Sequence, residues 1–483
     1  MRMTTISRFA GVGAMVCLTS LVAADSTGSI DTLRLELDEL RSRKDALSAR
    51  IDAQDSTWLN EERACEVRGL VQDVLADSQS RTNLQDSGMT AGYKAGSGFY
   101  LSSQDGSFSL MLSGELQARW VMNRNPGRPV DPVTGSSAEE TQYGFQVRRA
   151  TLRFMGSVVD PSWTYNITGS FEGPEVVVNA GGPVTTGVQS NGGAFEFQEA
   201  YIAKQLENGL QLTFGQFKTP WMREELVESS QQLAVERSVI NEFYNQGRAV
   251  GIMASYLTDN WNLAASYNNG QQTALSEGTR YTNFTDNPAD WSFSGRFEYK
   301  FLGDWSDFDS FTSSPGDESA IMVGVAGMGQ KYGDKSIWDS VSVWGVTADI
   351  SMKFARWSLF GSYVWQSYDN DGVQFDSWNP WGAVVQAGYS LTSEWELFLR
   401  YEDGNASGGI GNAFNIGAED GNPSIVTLGA NYFINDNVKF TLDWGINFAD
   451  NMSLFAGNGS DTGWTSSDES DQWVLRAQLQ LLF

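Results

Sequence analysis

The sequence predicts an all-β protein: a 16-stranded antiparallel transmembrane β-barrel with an N-terminal periplasmic α-helical coiled coil. Three observations carry that prediction. The hydrophobic period changes from about 3.5 to 2 near Ser107. Beyond it, short and long connections alternate. The chain closes on a strand whose apolar face, Trp473, Leu475, Ala477, Leu479, Leu481 and Phe483, runs to the last residue.

Strands are expected near 107–122, 143–158, 163–172, 195–206, 209–218, 247–258, 259–269, 290–302, 319–330, 340–354, 356–369, 380–392, 394–403, 422–433, 435–449 and 472–483. Most are longer than a globular strand and suit a tilted bilayer crossing. Trp291, Phe293, Phe297, Tyr299 and Phe301 alternate with Ser292, Ser294, Arg296, Glu298 and Lys300, so one face wants lipid and the other water. Even strands are followed by short turns such as Asp160-Pro161 and Thr392-Ser393, with one longer exception at 303–318. Odd strands are followed by long polar loops, at 123–142, 173–194, 219–246, 270–289, 331–339, 370–379, 404–421 and 450–471. A soluble sandwich has no reason to sort loop length by parity; an outer-membrane barrel does, with its short turns in the periplasm. The terminal strand would be a liability on a soluble edge but closes a barrel against the first strand. Its Phe483 resembles the signal read by the barrel-assembly machinery.

Composition agrees. The 483 residues include 50 Gly, only 11 Pro and 12% aromatics, and no apolar run after the first few dozen residues could cross a bilayer as a helix. A net charge of −27 argues against nucleic acid and against a broad basic membrane-binding face. The chain has no histidine, which removes Ser-His-Asp hydrolysis, His-ligated zinc and imidazole acid-base chemistry together. No catalytic residue, metal ligand or cofactor is expected.

Residues 1–24 read as a signal peptide, with Arg2 and Arg8 before an apolar stretch from Phe9 to Leu21 and a small-residue site at Val22-Ala23-Ala24. Residues 25–60 carry heptads: Ile30, Leu37, Lys44, Ile51 and Trp58 at a, Leu33, Leu40, Leu47 and Gln54 at d. The expected coiled-coil core is Leu33, Leu37, Leu40, Lys44, Leu47 and Ile51, although a single amphipathic helix also fits. Residues 61–106 are expected as a helical and Gly-rich periplasmic connector, and 107–483 as the barrel. With Cys17 in the leader, Cys65 is left alone, as an inert helix residue or a link between subunits.

The stretch Gly209 to Ile252 begins as a strand, runs through about thirty charged and amphipathic residues, and resumes alternation at Val250. That is the pattern of a pore narrowed by its own loop. Lys218, Arg223 and Arg237 face Glu224, Glu225, Glu228, Glu236 and Glu242 there, and Glu224 to Val235 could form a short helix. The proposed constriction is Lys218, Arg223, Glu224, Glu225, Arg237 and Glu242. By strand phase the lumen carries Arg119, Arg149, Arg153, Arg296, Lys300, Lys353, Arg400, Lys439 and Arg476 against Glu115, Glu172, Glu298, Asp349, Glu396, Glu402 and Asp443, near balance. Arg119, Arg149, Arg153, Arg296, Arg400 and Arg476 are the expected pore-lining bases. Arg119, Arg149 and Arg476 fall at similar heights on adjacent strands, either as a stripe drawing anions inward or as a brace paired with carboxylates.

Four segments resemble the phosphate-selective porin O and P family: YGFQVRRATLRFMGSVVDPSWTYNI (143–167), FQEAYIAKQL (197–206), LTFGQFKTPWMREELVESSQQLAVERSVIN (212–241) and GRAVGI (247–252). The resemblance implies a homotrimer of outer-membrane barrels, each with its third long loop folded into the lumen, and channels that favour anions such as phosphate. Here the basic residues are not dense, and the chain is acidic. The expected function is passive diffusion of small hydrophilic solutes through a water-filled barrel. The competing reading is a structural anchor in outer-membrane lipid, tethered to periplasmic envelope components through the coiled coil.

Overall fold

The computed structural model describes residue 35 and residues 37–49, 88–94, 98–127, 140–171, 196–270, 289–332, 341–370, 377–406, 421–450, 455, 462–465, 467 and 469–483. The expected signal peptide, Cys65, the helix expected over 61–75, and most of the long loops other than the third lie outside them. So do Leu33 and Ile51 of the heptad core. Two units are distinguished, residues 1–83 and 84–483. In the first, residues 37–49 are helical, and Leu37, Leu40 and Leu47 are exposed.

The second unit contains the barrel. Its wall is built from β3 (Phe108–Arg124), β4 (Thr141–Val158), β5 (Asp160–Ser170), β6 (Glu196–Gln205), β7 (Leu210–Lys218), β8 (Arg248–Leu257), β9 (Trp261–Asn268), β10 (Trp291–Leu302), β11 (Asp317–Tyr332), β12 (Val341–Ala355), β13 (Trp357–Asn370), β14 (Trp381–Ser390), β15 (Trp395–Asn405), β16 (Ser424–Asn435), β17 (Val438–Asn447) and β18 (Trp473–Leu482). Each pairs antiparallel with the next, and β18 returns to β3 with Leu481 opposite Leu116 and Trp473 opposite Arg124. The sixteen-stranded closure is therefore complete, and every wall edge is paired. Phe483 extends it: its N–H donates to the Gly114 carbonyl at 3.0 Å and its carbonyl accepts from Gly114 N–H at 2.7 Å.

Alternation does what the sequence requires. On β10, Phe293, Phe297 and Phe301 are exposed on the outer face while Arg296, Glu298 and Lys300 are buried inside. The outward residues are those that lipid would cover, so exposed Phe, Leu and Trp side chains are here the lipid-facing side of a membrane protein.

Two features differ from the sequence reading. Within the connector, Met89–Lys94 and Gly98–Ser103 form a hairpin, β1 and β2. Strand β2 pairs with the first residues of β3, Phe99 opposite Leu112, below the stretch that β18 occupies. The long β3 thus has two partners on one edge. Secondly, the third loop has no helix spanning Glu224 to Val235. It has α1 at Arg223–Leu226, a single 3-10 turn at Ser229–Gln231, and α2 at Val239–Tyr244, the last capped by the Ser238 hydroxyl accepting from Asn241 N–H at 2.9 Å.

Candidate functional site

The loop between β7 and β8, residues 219–247, lies inside the barrel, most of it buried and none of its residues exposed. An apolar seam seats it against the wall. Trp221, Met222, Val239, Ile240 and Tyr244 from the loop pack with Met328, Val343, Val364, Tyr368, Trp378 and Val384. A lower group joins Val227, Leu233 and Ala234 to Phe360 and Phe398 of the wall. Strands β14 and β15 admit α2 because they lack side chains at the contact: a Cβ on Gly382 would stand 2.6 Å from Ile240 Cγ2, and one on Gly404 2.9 Å from Ile240 Cδ1.

Buried wall charges then bind the loop's backbone. Arg296 donates to the Trp221 carbonyl at 3.1 Å while gripping Asp349 at 2.7 and 2.8 Å. Arg400 reaches the Glu236 carbonyl at 2.7 Å, Lys439 the carbonyls of Ser230 and Gln232 at 3.0 Å each, and Asn431 that of Leu233 at 2.9 Å. In the opposite sense Val235 N–H donates to Asp443 at 3.0 Å and Val239 N–H to Glu402 at 2.6 Å. Asp443 is itself held by Arg476 at 2.7 and 2.9 Å. A loop without ladder partners has its backbone groups satisfied by the wall.

Glu236 is the centre of the densest charge cluster. Arg119 meets it at 2.6 Å, Arg148 at 2.8 Å and Arg149 at 2.9 Å. Burial pushes the Glu236 carboxyl upward, but Arg148, Arg149 and Arg119 overcome this and hold it well below the ordinary glutamate range. Arg148 enters through a bulge: Gln117 opposes Arg149 and Ala118 opposes Val147, so the extra residue turns inward beside its neighbour. Strict alternation assigns Arg148 to lipid, which is why strand phase missed it.

The expected stripe is thus traceable. Arg119 and Arg476 sit diagonally across the β3–β18 seam, since Gln478 opposes Arg119 and Val121 opposes Arg476, and Arg149 follows on β4. The Arg119 and Arg476 side chains are 0% and 1% exposed. Among the constriction residues, Glu224 accepts from Ser238 N–H and Oγ at 2.7 and 2.6 Å, and Arg237 pairs with Glu225 at 3.2 Å. Arg223 pairs with Glu298 at 3.4 Å and donates to the Phe308 carbonyl. Glu242 is half-buried on α2.

One pair remains in contact with solvent. Arg153 meets Glu228 at 2.8 Å with side-chain exposures of 29% and 38%. Lys218 approaches the same carboxylate at 3.2 Å, and Arg248 meets Glu199 at 3.2 Å. The connection between β10 and β11 also turns inward from the short-turn rim. Its Phe311 N–H donates to the Gln231 carbonyl at 3.0 Å, and its ring joins the lower apolar group. Between loop and connection lies a cavity of about 610 Å³ that includes Glu115, Arg153, Arg223, Glu228 and Asp309 in its lining.

A closed lipid-facing barrel whose lumen is narrowed by a charged, wall-anchored loop defines an outer-membrane channel protein. The family model for phosphate-selective porin O and P matches residues 130–481, and the chain belongs to that family. Among solved structures it is similar to OmpF of Salmonella typhi in complex with daunomycin, at 14% identity and TM-score 0.50, over 78% of this chain and 99% of that one. The outer membrane channel DcaP of Acinetobacter baumannii aligns at 13% identity and TM-score 0.49, over 79% and 99%. OmpT of Vibrio cholerae aligns at 10% and 0.49, over 78% and 98%. The OmpF likeness is one of fold. A comparison with curated proteins finds no match. The protein is an outer-membrane porin, a route for passive diffusion.

Proposed function

We propose that solutes pass beside the inserted loop along Glu228 and Arg153, and that the arginines around Glu236 and Asp443 hold the loop in place. The observation that carries this reading is exposure. Arg153 and Glu228 are 29% and 38% exposed, whereas Arg119 and Arg476 are within 1% of full burial. A permeating ion responds to charges that it can approach through water, and the buried bidentate Arg476–Asp443 pair, neutral as a whole, presents little net field. The accessible strip mixes signs, so the channel passes small hydrophilic solutes by size first, with weak charge selectivity; phosphate is one candidate anion, supported by the family's description. Such a channel works without cofactor or catalysis. Reversal potentials across a KCl gradient test the assignment: Arg153→Gln should move the chloride-to-potassium permeability ratio, and Arg476→Lys should not.

The homotrimer is supported by family membership, and a periplasmic N-terminus by the even number of wall strands. Exposed Leu37, Leu40 and Leu47 favour an additional tethering role, because a heptad face of that kind calls for a partner helix. Deleting residues 29–60 separates the two roles. Loss of envelope attachment with unchanged single-channel conductance identifies a tether added to a porin.

A further inference from the structure

The cavity beneath the loop is a place where a solute can dwell, and its lining is mixed in charge. It holds Arg153 and Arg223 together with Glu115, Glu228 and Asp309, beside the apolar Met111, Met155 and Leu226. Arg153 already pairs with Glu228 and Arg223 with Glu298. Yet each guanidinium keeps a buried Nε–H without a hydrogen-bond acceptor, and Glu115, whose Oε2 accepts from Ser229 Oγ at 2.7 Å, keeps a buried Oε1 without a donor. Those three atoms are sealed from the cavity, so what the lining offers a solute is the part-exposed Arg153 and Glu228 with exposed Asp309 beside them.

We propose that this cavity is a subsite for zwitterionic solutes of the amino acid or short-peptide class. It deepens the channel reading and rests on it. A simple anion drawn by Arg153 and Arg223 would face three carboxylates, and a simple cation would face two guanidiniums. A zwitterion meets both: its carboxylate accepts from Arg153, its ammonium donates to Glu228 and Asp309, and a side chain rests on Met111, Met155 and Leu226. A volume of about 610 Å³ accommodates a dipeptide with residual water. The inward-turning β10–β11 connection, longer than the turns beside it on the same rim, supplies Ser306, Asp309 and Ser310 to the lining.

The test uses the full-length protein in planar bilayers with the dipeptide Ala-Phe, its N-acetylated anion, its amidated cation and inorganic phosphate as separate blockers of KCl current. Ala-Phe should reduce the current at concentrations about 10-fold below those needed for either capped form or phosphate. Arg153→Met should raise the Ala-Phe blocking concentration by a similar factor. If the channel conducts KCl and phosphate or the acetylated form blocks as well as Ala-Phe, the subsite is wrong and the channel reading stands. If no current flows, the channel reading fails. Equilibrium dialysis of radiolabelled Ala-Phe against the detergent-solubilised protein then decides the subsite: binding that Arg153→Met weakens upholds it, and absence of binding overturns it.

Discussion

The two sides of the inserted loop are built differently. Towards β11–β18, and at Glu236 towards β3 and the bulge of β4, it is dry: Trp221, Ile240 and Tyr244 pack against Trp378 and Val384, and wall charges bind its backbone atom by atom. Around Glu228 it meets β4 and β7 through Arg153 and Lys218, partly in water. Charges of similar number thus do opposite work. Where water is excluded an ion pair fixes geometry, because losing one partner strands the other; where water enters it mainly sets the local field.

The comparison breaks most sharply at Glu236. Glu236→Ala leaves Arg119, Arg148 and Arg149 crowded around an empty position, a loss of about 3–5 kcal/mol for an uncompensated buried charge. Strand pairing closes the barrel without the loop, so the barrel should survive while the loop comes away from the wall. The measurement is single-channel conductance, which should rise and become noisy. An unchanged quiet channel would show that the apolar seam alone holds the loop.

The seam is the next target. Trp221→Ala removes a fully buried indole whose Nε1–H donates to the Tyr244 carbonyl at 3.0 Å, a loss of about 3–5 kcal/mol spread over the seat. Gly382→Val acts from the wall: its side chain would press on Ile240 and Tyr244, for about 1–3 kcal/mol of overpacking. Both should lower the temperature at which the folded form is lost in a heat-modifiability gel, Trp221→Ala more than Gly382→Val. On the wet side Glu228→Gln should change stability by less than about 1 kcal/mol and shift the permeability ratio a few-fold towards chloride.

How much of this was legible follows from the range of each signal. Alternation is local, so all sixteen wall strands could be read from the chain, and the parity of loop lengths gave the topology. The hairpin at 89–103 escaped because its strands are only six residues each and sit among glycines. Arg148 escaped because a bulge breaks the period that assigns faces. Glu236 stood in the sequence as one of five loop carboxylates, and nothing local distinguishes it; its partners come from β3 and β4, about a hundred residues earlier. Gly382 and Gly404 are silent for the same reason, since what they accommodate is remote in sequence. The longer connection at 303–318 was visible as an exception in length, and the structure gives that exception a place, in the lumen under the loop.

The mildest perturbation is pH, and it separates the two sides by what fails to change. Glu236 has its folded pKa depressed, so its contribution is fully present above the ordinary glutamate value of 4.5 and is lost only as pH falls through the lower folded value. For Glu228 burial works upward, while Lys218, Arg153 and Arg248 prevail and hold its carboxyl low as well. Between neutrality and about pH 5 both therefore stay ionised, so neither the Glu236 anchor nor the Glu228 charge changes; Glu224 in the loop and Asp309 in the cavity lining, which burial pushes upward, are carboxyls that protonate earlier. Any drift across that range reports Glu224 or Asp309; in stronger acid the current should become noisy and more chloride-favouring as Glu236 and Glu228 protonate. Glu228→Gln should already show the acid permeability ratio at neutral pH, with the quiet current of the intact loop. If instead that variant is as noisy as Glu236→Ala, the wet side also bears the loop's attachment, and the division between anchoring and selecting charges does not hold.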